Sequence, residues 1–289
     1  MTDVAEVTMA APTVDVQPGG RRWQVGPVWA GVVAIGLVVS GWTLVTALKL
    51  VDPLYLPSPA AVWDAFVRAN SRHTIANGVD RVVIGEQGYY LWEHLLASMQ
   101  RIAIGVGAAI LVGPAVGFLM GMVAPVRWVT GPIINFLRAL PPLGYIGLLI
   151  VWFGIGDTSK IWLLFLAAFP PIVIATLDGV LAVKPDYLNA ARSLGANRAQ
   201  VVALVVLPAT LPQVISGIRI ATAFAWTTVV AAELNNGIPG IGGLAYISGT
   251  QLNTPLTIAC IIVIGVAAVL LDAIIAAIGT KVVPWKGKS

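Results

Sequence analysis

Long apolar runs separated by short polar segments organise this chain. Six runs are long enough to cross a bilayer as helices: about Val28 to Leu48, Leu91 to Met122, Ile133 to Phe153, Ile161 to Val183, Pro208 to Leu234 and Leu256 to Gly279. Roughly 20 residues at 1.5 Å rise per residue cross a ~30 Å hydrocarbon core. The second run exceeds that length and is expected to project, tilt or bend near Gly113-Pro114. Pro141-Pro142 interrupts the third run, Pro170-Pro171 lies inside the fourth, and Pro212 sits near the start of the fifth. Prolines are tolerated in a span where neighbours or water satisfy the freed carbonyls. The third and fourth runs therefore either line a cavity or kink to fit their neighbours.

The segments between the runs differ in kind. Residues 1–27 are polar and read as a disordered cytoplasmic tail that ends in a basic anchor, Arg21-Arg22. Lys49 to Tyr90 is a long outer loop. Its PLYLPSP stops any helix, AAVWDAFVRA is amphipathic, and residues 70–90 read as a solvated excursion. The most distinctive segment is a polar island, Pro185 to Pro208. Tyr187, Ala190, Ala191 and Leu194 fall at i, i+3, i+4 and i+7, one face of a short helix. Asp186 is placed to cap its start and Gly195 to end it in a left-handed conformation. Asn197 is placed to cap a second helix, Arg198 to Val206, which Pro208 is expected to break. Two capped helices at a membrane surface read as a docking element.

Composition fits this reading. The chain is 58% hydrophobic and 10% charged, whereas a soluble domain carries about 25% charged residues. The fold class is all-α, a polytopic membrane protein with six transmembrane helices. With the N-terminus inside, Arg127, Lys184, Arg192, Arg198 and Lys281 join Arg21 and Arg22 on the inner side, and the loop 235–255 outside has no Lys or Arg. That bias puts the polar island in the cytoplasm. Basic residues form no nucleic-acid stripe. Cys260 lies alone in an apolar run, and His73 and His94 are far apart, so no metal site is expected. The phosphate-binding pattern G-x-x-x-x-G-K-[ST] does not occur, nor do the zinc-protease and nucleophile-elbow patterns. GIPGIGG (237–243) reads as a flexible outer loop or re-entrant turn. Energy is therefore expected to arrive through a partner.

Charges inside spans are few: Arg101, Arg138, Asp178, Arg219, Glu233 and Asp272. Such groups face the bundle interior or a water path. Arg138 precedes the Pro141-Pro142 break and either attracts an anion or bonds carbonyls at the inner interface. Arg101 lies about 15 Å into the second run and needs a partner. Glu233, at the outer end of the fifth run, either pairs with it or serves transport. Trp226, Thr227 and Thr228 offer an aromatic wall and hydroxyl donors, unless the threonines bond their own helix. Trp152-Phe153 reads as an interface anchor.

The polar island resembles the cytoplasmic loop of the permease subunits of binding-protein-dependent ABC importers, which runs E-A-A, three residues, G, nine residues, I-x-L-P. Here Asn189-Ala190-Ala191 is followed at that spacing by Gly195 and then Val205-Val206-Leu207-Pro208, with Asn189 where the family has Glu. LPSPAAVW (56–63), RALPPLGYIGLLIVWFGIGDTSKI (138–161) and GIRIATAFAWTTVVAAEL (217–234) look like the taurine, aliphatic sulfonate and nitrate permeases. The likeness is greatest to taurine permeases and covers most of the chain after about residue 28.

The resemblance implies a type I importer transmembrane domain over 28–280, including the coupling loop 185–208, with a basic cytoplasmic tail over 281–289. It implies no enzyme and no cofactor in this chain. It implies a homodimer in a bacterial inner membrane, both termini cytoplasmic, with two ATP-binding cassette subunits that hold ATP and Mg, and an extracytoplasmic solute-binding protein. Asp186, Tyr187, Asn189, Ala190, Ala191, Leu194, Gly195 and Arg198 are the expected ATPase contacts. A small organic anion, taurine or an alkanesulfonate, is the expected solute, moved by alternating access. Nitrate, bicarbonate or an aromatic acid are alternatives within this class. A nucleotide-independent secondary transporter or channel, or an intramembrane enzyme, are alternatives outside it.

Overall fold

In hydrocarbon a backbone must satisfy its own hydrogen bonds, and an uninterrupted apolar run does so as a helix. The computed structural model describes residues 27–74, 82–234 and 237–285. The tail ending in Arg21-Arg22 lies outside them. Among the described residues, five helices are long and apolar enough to cross a membrane, and six if one bent pair counts as a span. They are α1 (Pro27–Ala47), α3 (Leu91–Met122), α6 (Asp157–Leu181), the run α8 (Arg198–Val201) to α9 (Leu207–Ala232), and α11 (Thr254–Val282).

The expected third span is the bent pair. Helix α4 (Ala124–Ala139) stops at the proline pair, a single 3-10 turn follows over Pro142–Tyr145, and α5 (Ile146–Phe153) leaves at 97°. The span therefore starts nine residues earlier than the hydropathy suggests, and Pro141 turns it sharply. One expected interruption is absent, and the proline of the longest run does not end its helix. Helix α3 is helical throughout, Pro114 included. Pro208 does not break its run either. A π-helical stretch over Val202–Val206 joins α8 to α9, with the Leu207 N–H donating to the Val202 carbonyl five residues back. The wider turn brings the chain to Pro208 at a first-turn position of α9, where no N–H is required.

The outer loop is more ordered than its composition suggests. Ser58 accepts a hydrogen bond from Ala61 N at 3.2 Å and caps α2 (Pro59–Ala69). Strands β1 (Arg72–Thr74) and β2 (Val82–Ile84) then pair antiparallel, Arg72 opposite Ile84. Helix α1 is exposed over residues 29–41, half-buried at Trp42, Val45 and Thr46, and held by Trp42, whose indole N–H donates to the Pro57 carbonyl at 2.9 Å.

The centre is α3, α6 and α9. Ile102, Val106, Leu164, Ile172, Ala225 and Val229 form its buried core. Lipid tails give no hydrophobic drive between helices, so close packing of small residues must supply the contact. Gly105, Ala109, Gly113, Gly117 and Gly121 recur every four residues on α3 and face α6. A Cβ on Gly117 would stand 2.6 Å from the Val173 carbonyl oxygen, and one on Gly113 2.8 Å from Ile172. Two further short helices complete the chain: α7 (Pro185–Ser193) at one end of the bundle, and α10 (Ile241–Thr250) at the other.

We predict that Gly117→Ala lowers stability by about 1–3 kcal/mol, the range for overpacking. Gly107→Ala, where a Cβ meets nothing within 4 Å, should not lower it. Thermal unfolding in detergent, followed by tryptophan fluorescence, separates the two.

Candidate functional site

Three features answer to the charged and polar positions of the sequence: an exposed short helix, a cavity and a buried polar cluster.

Pro185 opens α7 as its first residue, and Lys184, not Asp186, is the N-cap; no side chain caps that end. Proline needs no N–H at that place, and the helix starts two residues earlier than expected. Asp186 remains in the first turn, where a negative charge favours the helix dipole. The other end is as expected. Gly195 has φ +84°, its N–H reaches Arg192 O at 2.9 Å, and Ala196 N reaches Ala191 O at 3.1 Å, a Schellman closure. Asn197 Oδ1 accepts from Gln200 N at 3.0 Å, while Gln200 Oε1 accepts from Asn197 N at 2.8 Å. The C-terminal end of α7 and the start of α8 are thus fixed by local bonds.

Leu188, Ala191 and Ala196 turn inward onto Val180, Val201, Val206 and Phe118. Tyr187, Asn189, Ala190, Arg198 and Leu194 are exposed, Leu194 by 88%. Ala191 thus seats the helix on its own bundle, and its neighbours on the predicted face stay bare.

The proline turn after α4 and the proline pair inside the continuous helix α6 meet. Arg138, Pro142 and Tyr145 from one side and Pro170, Pro171 and Asp178 from the other wall a cavity of about 430 Å³, closed by Ile220 and Phe224 of α9. Pro170 and Pro171 bring no N–H to the carbonyls of Leu166 and Ala167, and both of those residues also line this space. Arg138 stands in the last turn of α4, so its charge lies beside the helix's negative end.

The polar cluster lies at the opposite end from α7. His94, Ser98 and Arg101 occupy one stripe of α3 and are buried. The Arg101 guanidinium donates to Glu233 Oε1 at 2.6 Å, Asp157 Oδ1 at 2.8 Å and the Pro239 carbonyl at 2.7 Å. Ser98 Oγ donates to the same Glu233 oxygen at 2.7 Å. Glu233 Oε2 accepts from Gly242 N at 2.8 Å, and Ser98 Oγ accepts from Ile241 N at 3.0 Å. The first N–H groups of α10 are thereby satisfied from α3 and α9. Gly240 N donates to His94 Nδ1 at 3.1 Å, so Nε2 carries the proton and gives it to Glu86 O at 3.1 Å.

This cluster explains GIPGIGG. A Cβ on Gly240 would lie 2.7 Å from the Glu233 carboxyl carbon, and one on Gly242 2.7 Å from Val230 Cα. The described part of the loop is a packed strap, not a free excursion; Asn235 and Asn236 lie outside the described residues. Sequence reasoning found Arg101 and Glu233 but missed His94, Ser98 and Asp157. The signal was present: polar residues at i, i+4 and i+7 on an otherwise apolar helix.

The remaining predicted residues lie apart from the Arg138 cavity. Trp226 is buried in the α3–α6–α9 core. Thr227 and Thr228 both donate to Phe224 O on their own helix, at 2.9 and 2.7 Å. Among the described residues, no group of His, Cys, Asp and Glu is arranged to hold a metal.

Comparison with known proteins places this arrangement. The profile of the binding-protein-dependent transport system inner membrane components matches residues 105–284. The taurine transport system permease protein TauC of Escherichia coli (strain K12) is 39% identical over 271 residues, covering 92% of this chain and 94% of that protein. The nitrate import permease protein NrtB of Leptolyngbya laminosa is 36% identical, covering 70% and 72%. The bicarbonate transport system permease protein CmpB of Synechococcus elongatus is 34% identical, covering 64% and 67%. Among solved structures, an inward-facing MetNI methionine ABC transporter chain superposes with TM-score 0.52 at 22% identity, covering 67% of this chain and 96% of that one. That likeness is one of fold.

The Arg101 and Glu233 side chains are 6% and 0% exposed. Removing one partner of so buried a pair costs about 3–5 kcal/mol. We predict that loss for Arg101→Ala in denaturant unfolding, with the Arg101→Ala/Glu233→Ala double variant losing less than the two single losses combined.

Proposed function

Because the chain belongs to the binding-protein-dependent transport system inner membrane components, we propose that it forms the path of an ATP-driven importer for a small organic anion, with taurine or an alkanesulfonate favoured. Membership makes it a multi-pass inner-membrane transport subunit rather than an enzyme. Its fold is that of an ABC importer membrane subunit.

The observation that carries the proposal is the α7 unit. A helix closed by a Schellman turn, with Tyr187, Ala190 and Leu194 of its apolar face left bare, is suited to be held by another protein. Tyr187, Asn189, Ala190, Leu194 and Arg198 offer that face, Asp186 and Gly195 set its limits, and Ala191 anchors it. Two copies of this chain take two ATPase subunits, which carry ATP and Mg. ATP binding draws the two α7 units together, and the bundles rearrange so that the path opens outward. Hydrolysis resets them. An extracytoplasmic binding protein delivers the solute. Both termini and α7 face the cytoplasm.

The solute reading rests on two supports. Arg138 puts a cation on a cavity bounded by three prolines, and the relative of widest coverage above is a taurine permease. Nitrate or bicarbonate is the second reading, favoured by the relatives that carry those names.

Reconstitution in liposomes with the ATPase and binding protein tests the proposal. Taurine uptake is expected only with ATP on the face bearing residues 185–201; uptake without ATP overturns it. A β-branched residue at φ +84° is strained by about 1–3 kcal/mol. Gly195→Val is therefore expected to displace α7 and cut uptake about tenfold while ATP hydrolysis continues. Arg138→Ala removes a charge-assisted contact of about 1.5–3 kcal/mol. It should lower uptake about tenfold or more with ATPase docking intact; normal uptake would remove Arg138 from the path.

A further inference from the structure

Two clefts run along one face of the bundle between α9 and α11 and meet at an ion pair. The cleft toward the α10 end, about 550 Å³, is walled by Trp226, Thr227, Val230 and Ile264. The cleft toward the α7 end, about 270 Å³, is walled by Pro212, Ser216, Gly279 and Thr280. Arg219 lines both, and Asp272 lines the first. Arg219 donates from Nε to Asp272 Oδ1 at 2.8 Å and from Nη2 to Oδ2 at 2.7 Å, a bidentate fork.

The environment of this pair differs from that of Arg101 and Glu233. Its side chains are 46% and 49% exposed. By helical rise, Arg219 lies about 18 Å from Leu207 and about 20 Å from Ala232, and Asp272 about 15 Å from Val282. Lipid headgroups do not reach that depth. Half-exposed charges there are expensive against hydrocarbon and belong on a water-filled cavity. The face also adjoins the cavity of Arg138 across α9. Ile220 and Phe224, which close that cavity, follow Arg219 and Ala223 by one residue each, so one exposed stripe of α9 separates the two spaces.

We propose that the α9–α11 seam is a second wall of the solute path, and that Arg219 and Asp272 form its charge-reading constriction for a zwitterion. This rests on the reading that the chain conducts a small charged solute. The anionic end of the solute takes over the Arg219 guanidinium, and its ammonium takes over the Asp272 carboxylate. Both charges released by opening the fork are then matched. A simple anion matches Arg219 only and leaves Asp272 unpaired, so the pair selects for an amine-bearing sulfonate or carboxylate.

Two measurements on the complete reconstituted transporter test this. In a Cys260→Ala background, Ser216→Cys and Thr227→Cys are exposed to a membrane-impermeant methanethiosulfonate. Modification is expected at both, slowed by solute, while Ile274→Cys, exposed but outside both clefts, stays unmodified. Labelling no greater than at Ile274→Cys overturns the proposal. The second measurement compares uptake of 2-aminoethanesulfonate with that of ethanesulfonate. Asp272→Asn is expected to lower the preference for the amine-bearing solute about tenfold, the weight of one charge-assisted hydrogen bond. An equal fall for both solutes means a merely structural pair and overturns the selectivity claim. If the unsubstituted transporter carries neither compound, the solute assignment fails, and the labelling still decides whether the seam is a path.

Discussion

Arg101 is 5% exposed, and its three hydrogen bonds explain the architecture of one whole end of the molecule. A guanidinium at that depth must be met by fixed acceptors, and each acceptor belongs to a different element: Asp157 opens α6, Glu233 closes α9, and Pro239 sits in the strap before α10. Satisfying one charge therefore ties four segments together. Glu233 then needs donors of its own and finds them in Ser98 and the Gly242 N–H. The glycines of the strap follow from this, since a side chain at Gly240 or Gly242 would occupy the carboxylate's place or collide with α9. The geometry of the end is fixed by polar satisfaction, and its apolar residues fill the space that remains.

The opposite end is arranged by other means. There α7 and α8 rest on a small apolar patch and are closed by bonds within themselves, through Gly195 and Asn197. Among the described residues, no ion pair ties α7 or α8 to a distant element. The bundle thus has one end clamped by electrostatics and one end that presents a preformed shape.

Much of this was legible in the residues. Hydropathy located the long helices, and the turn chemistry of Gly195 and Asn197 set the docking unit's limits. Those signals are local and survive folding unchanged. Proline misled at one place: Pro208 was expected to break its run and does not, because a π turn delivers it to a permissive position. The pairing of Arg101 with Glu233 was open from depth alone. The contribution of Asp157 was not, since it joins residues 56 apart in sequence and no periodicity records such a contact. The glycine ladder of α3 was visible as a four-residue spacing, yet only its neighbour α6 shows what the spacing is for.

The junction at Val202–Val206 has a mechanical consequence. Because the chain remains helical from Arg198 to Ala232, the seat of the docking unit and the carboxylate that holds Arg101 stand on one rod about 50 Å long. A sideways push at its base does not dissipate in a flexible link. It tilts the rod about its glycine contacts with α6, where Gly179 and Gly217 let the two helices lie close, and so swings the Arg219 face by an amount set by leverage rather than by local unfolding.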